Sequence, residues 1–137
     1  MRAFVHPRLW LGLWLAGWVL CIVLSLVPPP DLPGPAGSDK IGHFLAYFTL
    51  TAWAVWLFRT RRAHLLAALA LVFLGIAMEI AQASLTTLRL GDVRDAVANT
   101  LGVAVGLSLT FTPLRFALER VEKILCGRDF SPEKLRD

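Results

Sequence analysis

The sequence predicts an all-α membrane protein, a four-transmembrane-helix bundle followed by a C-terminal amphipathic cytoplasmic helix. Three observations lead there. Apolar residues make up 56% of the chain and charged residues 18%, whereas soluble domains run at about 45–50% and about 25%. The charges fall between long apolar runs. The runs approach the roughly 20 residues that a helix needs to cross a bilayer core. At 137 residues the chain reads as a single membrane domain, 1–137.

The first span is expected at Leu9–Val27, an unbroken run of 19 residues. Arg2 and Arg8 precede it as in a signal peptide. The run is longer than an h-region of roughly 7–15 residues, however, and prolines follow it in place of a cleavage site, so it reads as a retained helix. Trp10, Trp14 and Trp18 form one stripe. It reads as a packing seam with interfacial anchoring, a binding stripe being the alternative. Pro28, Pro29, Pro30, Pro33 and Pro35 cannot continue the helix and predict a stiff, extended loop. Ser38 then suits an N-cap.

The second span is expected at Ile41–Phe58, closed by Arg59, Arg61 and Arg62. The third runs over Leu65–Leu85 and is interrupted by Glu79 and Gln82. The fourth covers Val93–Thr112 and stops at Pro113. From Pro113 to Cys126 the chain is amphipathic, with Leu114, Ala117, Leu118, Val121, Ile124 and Leu125 on one face and Arg115, Glu119, Glu122 and Lys123 elsewhere. This segment is expected to lie on the membrane surface. A dimer seam is the alternative, which leaves a homo-oligomer open. The tail 127–137 is expected to be mobile.

Of the 14 Lys and Arg residues, 11 lie in the amino end, the loop after span two and the tail. Only Lys40, Arg89 and Arg94 fall on the other side. Basic residues concentrate on the cytoplasmic side, so both termini are expected there. The same distribution argues against nucleic acid as a partner, despite the net charge of +4. Cys21 and Cys126 have no metal-site or disulfide spacing.

Ionisable groups within spans cost about 2.5–3.5 kcal/mol at the centre and call for a reason. Span two carries Asp39, His43 and Tyr47 on one stripe, with Lys40 beside it. Span three carries Glu79 and Gln82 at i and i+3, on one face. Span four carries Asp92, Asp95, Asn99, Gly102 and Gly106 as one continuous stripe. Asp92 also reads as an N-cap with Asp95 in the first turn. Gly102 and Gly106 permit close helix approach. Arg89 stands in the adjoining loop, placed to pair with Asp92 or Glu79 or to take an anionic group. The expected topology puts all three stripes in the outer half of the membrane, where they would form one pocket.

The block Asp39-Lys40-Ile41-Gly42-His43-Phe44, with Tyr47 after it, resembles the VanZ-like family. So does the series Glu79-x-x-Gln82, Arg89, Asp92-x-x-Asp95-x-x-x-Asn99-x-x-Gly102-x-x-x-Gly106. The resemblance spans Ser38 to Gly106, about half the chain. It implies a bacterial inner-membrane protein of the cell envelope, related to one associated with resistance to the glycopeptide teicoplanin.

Three functions compete. The pocket binds a lipid head group, a lipid-linked cell-wall precursor or a glycopeptide. Alternatively it is a lipid-directed hydrolase or transferase, with His43, Glu79 and Asp95 as acid–base candidates. The third reading is a structural polar network joining the helices. No hydrolase or phosphatase signature is present. No cofactor is expected and no metal: the carboxylates lack EF-hand spacing, and zinc calls for more His or Cys. A proton or ion path would need polar residues in the inner half, which is Gly, Ala, Leu and Val. The expected ligand-binding set is Asp39, Lys40, His43, Tyr47, Glu79, Gln82, Arg89, Asp92, Asp95 and Asn99.

Overall fold

Pro7, whose fixed φ suits the first helical position, opens helix α1, which runs over Pro7–Leu26 in a computed structural model describing residues 1–27, 38–85 and 92–127. Helix α2 is Ser38–Leu57, α3 is Arg61–Leu85, α4 is Val93–Ser108 and α5 is Ala117–Cys126. Among the described residues all regular structure is helical. The proline loop, the side chain of Ser38, the connection holding Arg89 and the tail from 128 onward lie outside them.

Helices α1 and α3 are long and apolar enough to cross a membrane. Helix α2 matches α1 in length at 20 residues, but Asp39, Lys40, His43 and Tyr47 lower its mean hydropathy below that of a clear span. Helix α4 has only 16 residues. The segments Val93–Phe111 and Pro113–Cys126 meet at an 83° bend, and counting them as one broken span gives a third crossing.

The expected fourth span therefore ends early. Past Ser108 the helix tightens into a 3-10 turn over Leu109–Phe111. Three hydroxyls accompany this change by bonding carbonyls three residues back: Ser108 to Val105 at 2.7 Å, Thr110 to Leu107 at 2.8 Å and Thr112 to Leu109 at 3.0 Å. Such local bonds compete with the α-helical ladder. Thr112, extended at φ −113 and ψ 161, then obeys the restriction on a residue before proline. A second 3-10 turn, Pro113–Phe116, leads into α5.

Helix α5 also differs from expectation. Its inward face is Leu118 and Glu122, the latter only 4% exposed, while Val121, Ile124 and Leu125 point outward. By spacing Glu122 lies off the apolar face. In the structure its carboxylate accepts from the Val5 and His6 backbone N–H groups at 2.8 and 3.0 Å and from Trp10 Nε1 at 2.7 Å. Arg2 fastens the same corner through Nε to Phe58 O and an ion pair with Glu119 at 3.1 Å. The amino-terminal segment is thus held against α5 and the end of α2.

The tryptophans of α1 form a packed seam. Trp14 donates to Leu50 O at 2.9 Å and stacks edge-on against Trp18, while the Trp10 carbonyl accepts from Trp53. The tightest helix pair is α2 with α4. A Cβ at Gly102 would collide with Phe44 O, and one at Gly106 would come within 2.8 Å of Phe48 O. Only hydrogen fits at either place. The α1 surface of Leu9, Leu13, Val19, Leu20 and Leu24 remains outward-facing, as a lipid-contacting helix requires.

Gly102→Leu is expected to destabilise the bundle by about 1–3 kcal/mol, the usual cost of overpacking. Thermal unfolding in detergent reads it, and an unchanged midpoint would contradict the close α2–α4 contact. Glu122→Ala strips three buried or half-buried donors of their acceptor and should cost about 1–3 kcal/mol. Protease protection of the first ten or so residues should fall with it, whereas Glu119→Ala at the half-exposed ion pair should leave that protection intact.

Candidate functional site

The starts of α2 and α4 and the end of α3 converge at one end of the bundle. This follows from antiparallel packing, and the contacts make it concrete. Lys40 Nζ lies 3.3 Å from Asp39, 3.4 Å from Asp92 and 3.3 Å from Asp95. Glu79 reaches across from α3, and its Oε2 accepts from the Asp92 backbone N–H at 3.1 Å. It thereby satisfies one of the donors left open at the α4 amino end. Gln82 donates to Ser25 O at 2.7 Å and ties the end of α1 to the same corner.

His43 stands at the centre. Its Nδ1 lies 3.1 Å from Asn99 Oδ1 and its Nε2 lies 3.7 Å from Asp95 Oδ2. An amide oxygen only accepts, so Nδ1 carries a proton toward Asn99, and Nε2 is the ring nitrogen turned toward the carboxylates. Glu79 and Asp95 are each 8% exposed and Asn99 1%. Three polar atoms at this corner have no hydrogen-bond partner among the described residues: Glu79 Oε1, Asp95 Oδ1 and Asn99 Nδ2. Asp95 Oδ1 has the Lys40 ammonium nearby, as an ion pair without hydrogen-bond alignment. Buried polar atoms are rarely left this way, and Glu79 Oε1 and Asn99 Nδ2 have neither a hydrogen bond nor an ion pair among the described residues.

Linear spacing carried no metal signature. In three dimensions, however, one donor atom each from His43, Glu79 and Asp95 lies within 4.8 Å of the others. Asp92 caps α4 by accepting from the Arg94 backbone N–H at 2.9 Å. That bond, with Lys40 beside it, holds its carboxyl below the usual range.

Not every expected residue joins the cluster. Tyr47 lies deeper, 1% exposed, in the apolar core with Cys21, Leu50, Leu71 and Val103. Arg89 lies outside the described residues. Lys40 joins the cluster, engaged by three carboxylates. Two features had no signal in the sequence. The Ser25 carbonyl is a backbone atom that any residue would supply. The second is a groove of about 280 Å³ between α1 and α2, lined by Cys21, Leu24, Ser25, Asp39, Gly42, His43, Ala46 and Tyr47. It is polar where Asp39 and His43 border the cluster and largely apolar beyond them.

An uncharacterized protein of the fission yeast Schizosaccharomyces pombe, C11E3.10, is 36% identical to this chain over 119 residues, 83% of this chain and 70% of the yeast protein. No protein-family model matches the chain, and no solved structure matches it.

The depressed Asp92 carboxyl sets a pH dependence. A carboxyl whose folded pKa is below its unfolded value adds stability above the unfolded value, and this is lost as pH falls through the folded one. Unfolding midpoints taken from about pH 7 down to about pH 3 should therefore drop on the acid side. Asp92→Asn, which keeps a capping oxygen, should flatten that limb; an unchanged acid limb would remove Asp92 from the account.

Proposed function

The chain belongs to the family of the fission yeast protein C11E3.10, and we propose that it is a multi-pass membrane protein whose polar pocket binds a lipid head group at one membrane face. The groove between α1 and α2 carries this reading. Its polar end opens on Asp39 and His43, and its apolar end follows Leu24 and Ala46 along two helices. A molecule with a polar head and an aliphatic tail has that outline, and an apolar cleft with a few converging polar groups is the usual form of a ligand site.

The bundle spans the membrane four times in this proposal, with α2 as a polar-faced span and Val93–Phe111 as the last. Helix α5 then lies along the cytoplasmic surface, its Val121, Ile124 and Leu125 turned outward toward lipid. Arg2, Arg8, Arg59, Arg61, Arg62, Arg115 and Arg120 gather at the end opposite the pocket. Their excess supports cytoplasmic termini and a pocket in the outer half. The VanZ-like blocks coincide with the pocket-forming helices and support an inner-membrane role in a bacterial envelope. A yeast relative favours a head group shared by bacterial and fungal membranes over a cell-wall precursor or teicoplanin, ligands that the VanZ-like resemblance alone suggests.

Gly42 tests the groove. It borders the groove, and a Cβ there meets nothing within 4 Å, so Gly42→Phe fills the space without straining the helices. Native mass spectrometry of gently extracted protein is expected to show a co-purifying lipid on the wild type. The Phe variant should retain it about tenfold more weakly, a loss of about 1.4 kcal/mol, at an unchanged thermal midpoint. Equal retention by both proteins would show that the groove is not the binding site, and the polar cluster would revert to helix-to-helix scaffolding.

A further inference from the structure

Among the described residues the pocket is acidic: Asp39, Asp92, Asp95 and Glu79 face one ammonium, Lys40, and three of the four hold it. A phosphate-bearing head group would be repelled here unless further positive charge accompanied it. The unpartnered atoms point to the form that charge takes. Among the described residues Glu79 Oε1 is buried without a hydrogen bond, Asp95 is buried with one oxygen unaligned, and His43 turns Nε2 toward Asp95 at 3.7 Å.

We propose that His43 Nε2, Glu79 Oε1 and an Asp95 carboxylate oxygen bind one divalent transition-metal ion, Zn²⁺ or Mn²⁺. Its open coordination positions receive the anionic part of the head group, and this second step rests on the lipid reading given above. The donor set selects the class of ion. One imidazole nitrogen with two carboxylates suits zinc or manganese, whereas magnesium and calcium favour oxygen ligands throughout.

The surroundings match a metal-binding histidine. A metal-ligating His donates its other ring N–H to a fixed acceptor, which sets the tautomer and aims the lone pair. Asn99 Oδ1 does this for His43 at 3.1 Å. Glu79 is steadied through its other oxygen by the Asp92 N–H. The three donors come from α2, α3 and α4, so the ion would also clasp the three helices together. A tetrahedral ion with bonds of about 2.1 Å separates its ligands by about 3.4 Å. The donors here lie within 4.8 Å, so closure takes a shift of about an ångström, within rotamer adjustment. The groove borders His43 and offers a way in.

The test uses the full chain in detergent, stripped with EDTA and titrated with Zn²⁺, Mn²⁺, Mg²⁺ or Ca²⁺ alone by calorimetry and thermal unfolding. One Zn²⁺ or Mn²⁺ per chain is expected, with a raised midpoint, and little response to Mg²⁺ or Ca²⁺. Asn99→Ala should weaken binding about 10–100-fold through the lost orienting bond. Glu79→Gln should abolish it. The glutamine variant also separates the ion site from a merely structural role. Removing a buried, half-satisfied carboxylate leaves the metal-free protein at least as stable as the wild type, yet unresponsive to the ion. Absence of saturable Zn²⁺ or Mn²⁺ binding by the wild type overturns the proposal, as does undiminished binding by Glu79→Gln. Preference for Mg²⁺ or Ca²⁺ overturns the assigned ion class. Lipid retention that EDTA leaves unchanged overturns the bridging step while the head-group reading stands. Metal binding by protein that retains no lipid does the reverse: the ion site stands and the head-group reading falls.

Discussion

Backbone against backbone, α2 and α4 meet where Gly102 and Gly106 carry no side chain, and the polar end of the protein depends on that approach. Phe44 O and Phe48 O occupy the space that a Cβ would need. With the helices this close, His43 reaches Asn99 and Lys40 reaches Asp95. A wider separation would put each of these groups out of bonding range and leave charged atoms buried alone. Small residues at the helix interface therefore set the distance at which the polar chemistry assembles.

Two ends with different electrostatics result. At one end, among the described residues, Asp39, Asp92 and Asp95 hold Lys40, while Glu79 and Asn99 flank His43 and the α4 amino end. At the other, arginines dominate, and a deeply buried carboxylate, Glu122, is satisfied by backbone and indole donors. The contrast matters. Glu122 is fully occupied and holds the amino-terminal segment in place. Glu79 is also buried, with one oxygen on the α4 amino end and the other without a hydrogen bond among the described residues. Buried carboxylates with unequal satisfaction differ in what they leave open to a further partner.

The bend after α4 has a local cause and a longer-range effect. Ser108, Thr110 and Thr112 draw their hydroxyls to nearby carbonyls, and Pro113 forbids the residue before it a helical conformation. The chain turns by 83° and lays α5 across the arginine-rich end. There Leu118 and Glu122 meet the amino-terminal segment, and the outward residues of α5 form an apolar edge. Periodicity had grouped Leu118 with that edge. Tertiary packing took it inward because Glu122, one turn on, found three donors there.

By itself the sequence determined the helical architecture, the order of the apolar runs, the polar stripes on α2, α3 and α4, and the glycines at their seam. These are consequences of short-range periodicity: a residue's place on a helix face depends only on its spacing. It also indicated that Asp39, His43, Glu79, Asp92, Asp95 and Asn99 belong to one end of the bundle, since successive antiparallel helices bring those positions to the same level. Only the tertiary structure decided which atom meets which. It bound Lys40 to three carboxylates, gave Glu122 its buried role, withdrew Tyr47 into the apolar core, opened a groove along α1 and brought His43, Glu79 and Asp95 within one ion's reach. Those outcomes depend on helix rotation and separation, which are set by side chains distant in the chain and leave no periodic trace in it.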